Sequence, residues 1–376
     1  MENVIVILNY TNWISNWIEK LNPYFKNVNL YVIHISKLQN IDNPEIKKYN
    51  SYDISYYSYF KLKKLIQSIA PSKCIFFTFR SVLDLTIYKL CNELNIKKLY
   101  LEHGLITNDL LHFRSNAIKS SPFETIKRQL IHLYKYYGYA LTSRKPLTEI
   151  LFFIQIYFKN KFNLFLFDHY LLFSQHSIEQ LNKIFTNVNQ NNTIIGYPIF
   201  TDMQQKNEAK EYTSNIKKNG IIYVHQPLIF DGVASISYEE EKSYLLHLAN
   251  ILSPHYGEFT ILLHPRSDIN AYKERFKGEQ IKIIKSPNNY KVFVDKNLII
   301  GHYSTALLYG LYFEIPTIVL DYPTLEKNNL FNSIFPSFSQ PEQILGKDIQ
   351  INKDMKNYML GNTNTYQYIA QTIENL

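Results

Sequence analysis

Four short stretches put a histidine directly behind an apolar run. They are Glu102-His103-Gly104, His225-Gln226-Pro227, His264-Pro265-Arg266-Ser267-Asp268 and Gly301-His302-Tyr303-Ser304-Thr305. The chain has only 11 histidines in 376 residues, so four at such places form a pattern. An imidazole of ordinary pKa, about 6.5, can keep a proton beside a phosphate or take one from a hydroxyl near neutral pH. In open parallel sheets ligands bind outside the carboxyl ends of the strands, where these residues fall if the apolar runs are such strands.

Each stretch has its own chemistry. His264 can offset the charge that develops on a departing phosphate oxygen; Pro265 fixes the backbone after it, and Arg266 and Asp268 read as a local ion pair or helix cap. Gly301 lets the chain turn or a ligand approach closely. Tyr303, Ser304 and Thr305 then open the next helical segment, where backbone N–H groups, hydroxyls and the helix dipole suit a phosphate; plain N-capping by Ser304 is the competing reading. His225 and Gln226 end a third strand on the same half of the chain. Glu102 and His103 supply a carboxylate and an imidazole, either able to take a proton from an acceptor hydroxyl. Neighbours on an extended strand end point opposite ways, so only one of the two faces a cleft.

Apolar runs alternate with helical patterns along the whole chain, as parallel sheets with crossover helices require. Strand-like runs cover Val4–Leu8, Val28–Ile35, Cys74–Phe79, Lys97–Leu101, Tyr170–Ser174 and Thr193–Pro198, then Gly220–Gln226, Phe259–Pro265, Ile281–Lys285, Asn297–Ser304 and Thr317–Pro323. Helical patterns fit Tyr56–Ile69, Ser81–Leu94, Tyr238–Leu252, Thr305–Phe313 and Lys353–Leu376. The length suits two α/β domains. Residues 1–200 form the first, with a basic, aromatic helical insertion at about 110–167. The polar stretch 201–219 reads as a linker, 220–355 as the second domain, and 356–376 as a final helix that packs back on the first.

Hydrophobic residues make up 46% of the chain, and 40 Lys+Arg against 32 Asp+Glu give a formal charge of +8, which favours an anionic partner. The basic residues are scattered and no nucleic-acid signature accompanies them, so nucleic acid is not the expected partner; a non-catalytic basic binder is the reading from another class. Two cysteines, Cys74 and Cys91, exclude a disulfide framework. The opening "MENVIVILNYTNW" reads as a first strand and not a signal peptide, and no run is long enough to span a bilayer. The expected location is cytoplasmic. Residues Leu147–Phe167 and the basic, tyrosine-rich stretch before them admit two readings: a surface that touches an anionic membrane from its inner face, or helices packed on their own domain.

Several signatures are absent: the GxxxxGK[ST] phosphate loop, GxGxxG, GxSxG, HExxH and any Asp-x-Asp pair. A carboxylate-held metal at a leaving phosphate is therefore disfavoured, and no metal or cofactor is expected.

Through "EHG", "HP" and "ST", in that order along the chain, the sequence resembles bacterial sialyltransferases and polysialyltransferases of the GT-B class. The resemblance implies an α/β GT-B fold, two Rossmann-like domains facing a central cleft. It implies Glu102 as the acceptor-activating base, His264 assisting departure of the nucleotide, and Ser304 and Thr305 binding its phosphate, with Gln226 of "YVHQPL" near the nucleotide. His103 departs from the pattern, which has acidic residues before the glycine. "HG" with a downstream "HP" is also similar to the CDP-glycerol polyolphosphate transferases, which would make His103 the base, and more loosely to the CMP-Kdo transferases of capsule assembly. The implied reaction moves a sialic-acid-like nonulosonic acid from its CMP conjugate to a hydroxyl of an oligosaccharide or lipid-linked surface glycan, with inversion. A CMP donor has a single phosphate to hold and a carboxylate of its own, in keeping with the missing Asp-x-Asp and the basic charge.

Overall fold

The structure, a computed structural model, describes residues 1–8, 17–39, 44–79, 81–104, 106, 122–159, 161–205, 218–230, 232, 234–285, 290–323, 330–350, 353–361 and 365–376. The chain divides into two compact units, Met1–Asp202 with Gly361–Leu376, and Met203–Leu360. Most of the stretch expected as a linker, residues 206–217, lies outside the described residues, as does 107–121 at the start of the expected insertion.

Among the described residues the first unit holds seven parallel strands: β1 (Glu2–Leu8), β2 (Val28–His34), β3 (Asn50–Asp53), β4 (Lys73–Phe76), β5 (Lys97–Leu101), β6 (His169–Leu172) and β7 (Asn192–Ile194). Their order is β3-β2-β1-β4-β5-β6-β7, the doubly wound arrangement in which the chain builds outward from β1 and then reverses. Val4 to Leu8 in the middle of the sheet are at most 2% exposed, since a strand covered on both faces has no polar side. Edge strand β3, "NSYD", has no apolar run and, among the described residues, pairs only with β2. The crossover helices are set locally. Ser58 Oγ accepts from the Lys61 N–H at the start of Tyr59–Ile69, and Ser81 and Asp84 form a reciprocal capping box at the start of Val82–Glu93.

Two further helices of this unit, Pro122–Thr142 and Pro146–Phe158, form a hairpin between β5 and β6. The C-terminal segment is two helices, Lys353–Leu360 and Tyr366–Asn375, where the sequence suggested one. Between them Gly361 takes φ +62°, and a Cβ there would meet the Phe173 carbonyl oxygen at 2.6 Å, so glycine is required. The second of these helices is tied to the first sheet by the buried Lys73, whose Nζ donates to the carbonyls of Ile373 (2.9 Å) and Glu374 (2.7 Å). A cation at these last carbonyls also meets the negative end of the helix dipole.

Among the described residues the second unit holds six parallel strands: β8 (Ile221–Val224), β9 (Phe259–Leu262), β10 (Ile281–Ile284), β11 (Leu298–Gly301), β12 (Thr317–Leu320) and β13 (Ser337–Phe338). Their order, β10-β9-β8-β11-β12-β13, repeats the doubly wound pattern, with the reversal between β8 and β11. Long helix Tyr238–Tyr256 opens with a Ser237–Glu240 capping box. No helix among the described residues is long and apolar enough to cross a membrane. Cys74 and Cys91 are both buried free thiols.

Candidate functional site

In the second unit the carboxyl ends of β9, β8 and β11 lie side by side, the last two flanking the point where strand order reverses. Residues leaving these three ends line one pocket of about 380 Å³: Val224, His225 and Gln226; Leu262 to Pro265; and Tyr303 to Ala306. Among the described residues none of its lining side chains is acidic. Gly301 sits at the strand end with almost no spare room, since a Cβ would meet Leu307 Cδ2 at 3.0 Å and the Val224 carbonyl oxygen at 3.3 Å. The glycine allows β8 and the turn after β11 to close on one another.

His264 is half-buried at the pocket wall. Its Nδ1 accepts the Arg266 N–H at 3.2 Å, and the Ser267 N–H donates to its carbonyl at 2.9 Å, so a tight turn holds the ring. With Nδ1 accepting, the neutral ring carries its proton on Nε2. Asp268 is the N-cap of Ile269–Arg275, its Oδ1 accepting from Asn270 (2.8 Å) and Ala271 (3.4 Å), which is the structural role its position suggested. Ser304 also caps: Oγ accepts the Ala306 N–H at 3.2 Å at the head of a short 3-10 turn, Thr305–Leu307, that runs into the helix Leu308–Phe313. The capping reading of Ser304 is thus realised, with Thr305 exposed beside it.

His225 is 1% exposed and lies among the residues lining the pocket. Behind it lies a buried chain of polar groups. Tyr272 Oη donates to Glu241 Oε2 at 2.9 Å and lies 2.7 Å from His225 Nε2, and Glu241 Oε1 lies 3.3 Å from that same nitrogen. Arg275 approaches Glu241 Oε2 at 3.5 Å. Since Tyr272 spends its proton on the carboxylate, its oxygen is left to accept from His225 Nε2–H, and Nδ1 is turned toward Ser267 Oγ at 3.4 Å. Glu241, Tyr272 and Arg275 were not singled out from the sequence. Glu241 ends the run Glu239-Glu240-Glu241, which reads as an ordinary acidic first turn, yet it is the one of the three that is buried. His302 does not join the pocket lining: its Nε2 lies 2.9 Å from the Tyr322 carbonyl and its Nδ1 3.2 Å from Tyr223 Oη, and burial pushes the ring down to about 4.

The first unit separates Glu102 from His103. Glu102 is 0% exposed; Oε2 accepts the Phe173 N–H at 2.6 Å and Oε1 accepts from Ser177 Oγ at 2.9 Å. Burial pushes this carboxyl up to about 8, against the pull of three donors, the Phe173 N–H, the Ser177 hydroxyl and the Ile106 N–H. The carboxyl therefore bolts the end of β5 to the turn that follows β6 and offers no oxygen to solvent. His103 is exposed, with its ring edge-on to Phe77 at 6.4 Å. This is the opposite-facing arrangement that strand geometry requires, with the imidazole outward.

No family model matches the chain, and no curated protein matches it. Solved structures do. One is the UDP-GlcNAc 2-epimerase of Methanocaldococcus jannaschii in complex with UDP-GlcNAc and UDP, at 13% identity and TM-score 0.51, covering 100% of both chains. Another is a variant of the wall teichoic acid polymerase TagF, at 13% identity and TM-score 0.54, covering 100% of this chain and 88% of that one. The TagF variant soaked with CDPG matches at 15% identity and TM-score 0.53, over the same shares. Identity this low establishes the fold: an α/β chain of the GT-B class with two Rossmann-like parallel-sheet domains.

Proposed function

We propose that the protein is a GT-B transferase that moves a cytidine-activated group to a hydroxyl of a surface-glycan acceptor, with His103 as acceptor-side base. The observation that carries this reading is the split at the end of β5, where Glu102 is sealed between Phe173 and Ser177 while His103 is exposed. Of the cytidine-dependent groups the sequence resembles, the one with a histidine base transfers polyol phosphate from a CDP conjugate. In that reaction His103 takes the acceptor proton, the acceptor oxygen bonds to the outer phosphorus, and the bond from that phosphorus to the bridging oxygen breaks. CMP leaves, and His264 donates to it or offsets its charge. The backbone and hydroxyls of Tyr303, Ser304 and Thr305 and the ring of His225 hold the nucleotide phosphate in a pocket without acidic side chains among the described residues. Two fold neighbours, one in complex with UDP and one soaked with CDPG, are in keeping with a pyrimidine nucleotide.

A second reading keeps the pocket and changes the reacting atom. His264-Pro265 and Ser304-Thr305 line one pocket, which is the pairing expected for transfer of a nonulosonic acid from its CMP conjugate. There the acceptor oxygen attacks the sugar's anomeric carbon and CMP departs with the glycosidic oxygen. Neither reading routes a step through a metal: imidazoles, hydroxyls and backbone N–H groups of the pocket meet the phosphate, so chelators should leave turnover unchanged.

Calorimetric titration of CMP, CDP, UMP and GDP, followed by turnover of CDP-polyol and CMP-nonulosonate donors, tests the assignment. Cytidine nucleotides should bind selectively, and His264→Ala should weaken that binding and cut turnover by about 10²-fold or more. Absence of any cytidine preference overturns the donor, and full activity of His264→Ala removes that residue from the chemistry.

A further inference from the structure

The hairpin Pro122–Thr142 and Pro146–Phe158 has two faces. The inner one is anchored: Lys135 is 0% exposed and its Nζ donates to the Ser55 carbonyl at 2.9 Å, and Tyr136 Oη donates to the Glu149 carbonyl at 2.7 Å. The outer one is apolar and uncovered. On the first helix Ile126 (54%), Leu130 (60%), Tyr134 (68%), Tyr137 (43%) and Leu141 (70%) are exposed, and on the second Leu147 (77%), Leu151 (58%), Ile154 (36%) and Phe158 (76%). At 100° per residue these rows occupy arcs of about 80° and about 60°, so each is a continuous stripe along its helix. Soluble surfaces expose such side chains singly, and a contiguous row marks a contact surface.

We propose that this hairpin face docks on an anionic lipid bilayer. The choice of occupant follows from charge. Lys127, Arg144, Lys145, Lys159 and Lys161 are exposed along the hairpin and just beyond its second helix. Among the described side chains from 126 to 161 the one acid is Glu149, which is committed to Lys89 at 2.8 Å. A second copy of the chain set on the same face would bring these cations against their own kind, whereas acidic headgroups complement them. Exposed Tyr134 and Tyr137 suit the headgroup boundary, where an aromatic ring can be buried while its hydroxyl stays wet, and the leucines reach the acyl region. The surface would hold the protein where a lipid-linked acceptor is found, but the inference does not rest on the transfer reaction, because lipid binding is measured without a donor.

Sedimentation of the full chain with sucrose-loaded vesicles tests it, comparing phosphatidylcholine alone with phosphatidylcholine mixed with phosphatidylglycerol. The anionic vesicles should bind at least tenfold more strongly, with affinity falling as salt rises. The double variant Leu130→Glu/Leu151→Glu should lose binding by at least tenfold, as should Arg144→Glu/Lys145→Glu; Tyr368→Glu, exposed on the last helix, should not. Circular dichroism melts check that each variant is folded. Equal binding to both vesicle types, retained binding by the folded hairpin variants, or a dimer on size exclusion that Leu130→Glu/Leu151→Glu dissociates would each overturn the proposal, the last by assigning the face to a second copy.

Discussion

The strand ends of the two sheets carry similar residues and use them differently. After β5 of the first unit, the adjacent pair Glu102 and His103 is split between interior and surface, and the buried member serves the backbone. After β8, β9 and β11 of the second unit, three histidines are graded: His302 inside, His225 buried in the pocket lining, and His264 half-exposed on the pocket wall. In both places a buried titratable group gives rigidity and an adjacent, more accessible one is presented. Burial disfavours the charged form and makes a group expensive to leave unpaired, so buried members end in full hydrogen-bond networks.

The sharpest way to break this comparison is to remove the presented group of the first unit and neutralise the buried one. His103→Ala should cost about 10²-fold or more in turnover, while Glu102→Gln, which can still accept from Phe173 N–H, should keep most of it. The reverse order of effects would return the base to Glu102. Next comes the support behind the pocket. Glu241→Gln should lower donor affinity about tenfold through the loss of the charged partner of His225, with the rate at saturating donor nearly unchanged. An effect on kcat alone would mean that His225 acts in the chemical step.

A smaller effect concerns stability. The Glu102 carboxyl sits above its unfolded value, so what it contributes is fully present below pH about 4.5 and is lost as pH rises through about 8. The melting temperature of Glu102→Gln relative to the unsubstituted protein should therefore climb as pH is raised from about 5 to about 8. A constant difference would show that the buried carboxyl does not titrate in that window. Smallest is Asp268→Ala, which removes the cap behind the His264 turn and should cost about 1 kcal/mol in denaturant melts of the full chain. A loss below a few tenths would mean that the turn is held by His264 and Ser267 alone.

Much of this arrangement was legible in the residues. β1, β4, β8, β9 and β11 appear as predominantly apolar runs because each is covered on both faces of its sheet, and the pocket residues follow from reading what comes after them. Edge strands β3, "NSYD", and β13, "SF", left no such trace, since each pairs on one side only and needs few apolar side chains. The apolar row of the hairpin was visible as composition. Its exposure was not, because the same residues would serve equally well packed inward.

What the chain determined by itself is the alternation of strands and helices, the doubly wound domains that alternation folds into, and the placement of imidazoles at strand ends, all consequences of local periodicity and chain direction. Tertiary structure decided which member of each pair is buried and which is exposed. Strand geometry demands that Glu102 and His103 face opposite ways but does not say which is inside; the Phe173 N–H and the Ser177 hydroxyl, supplied some 70 residues later, settle that by donating to the oxygens of a carboxyl group, which an imidazole does not offer. Glu241 is likewise one of three equivalent acids until Tyr272 and Arg275 fold against it. A buried polar group takes its meaning from partners distant in sequence, because the cost of leaving it unpaired is charged only once the fold has closed around it.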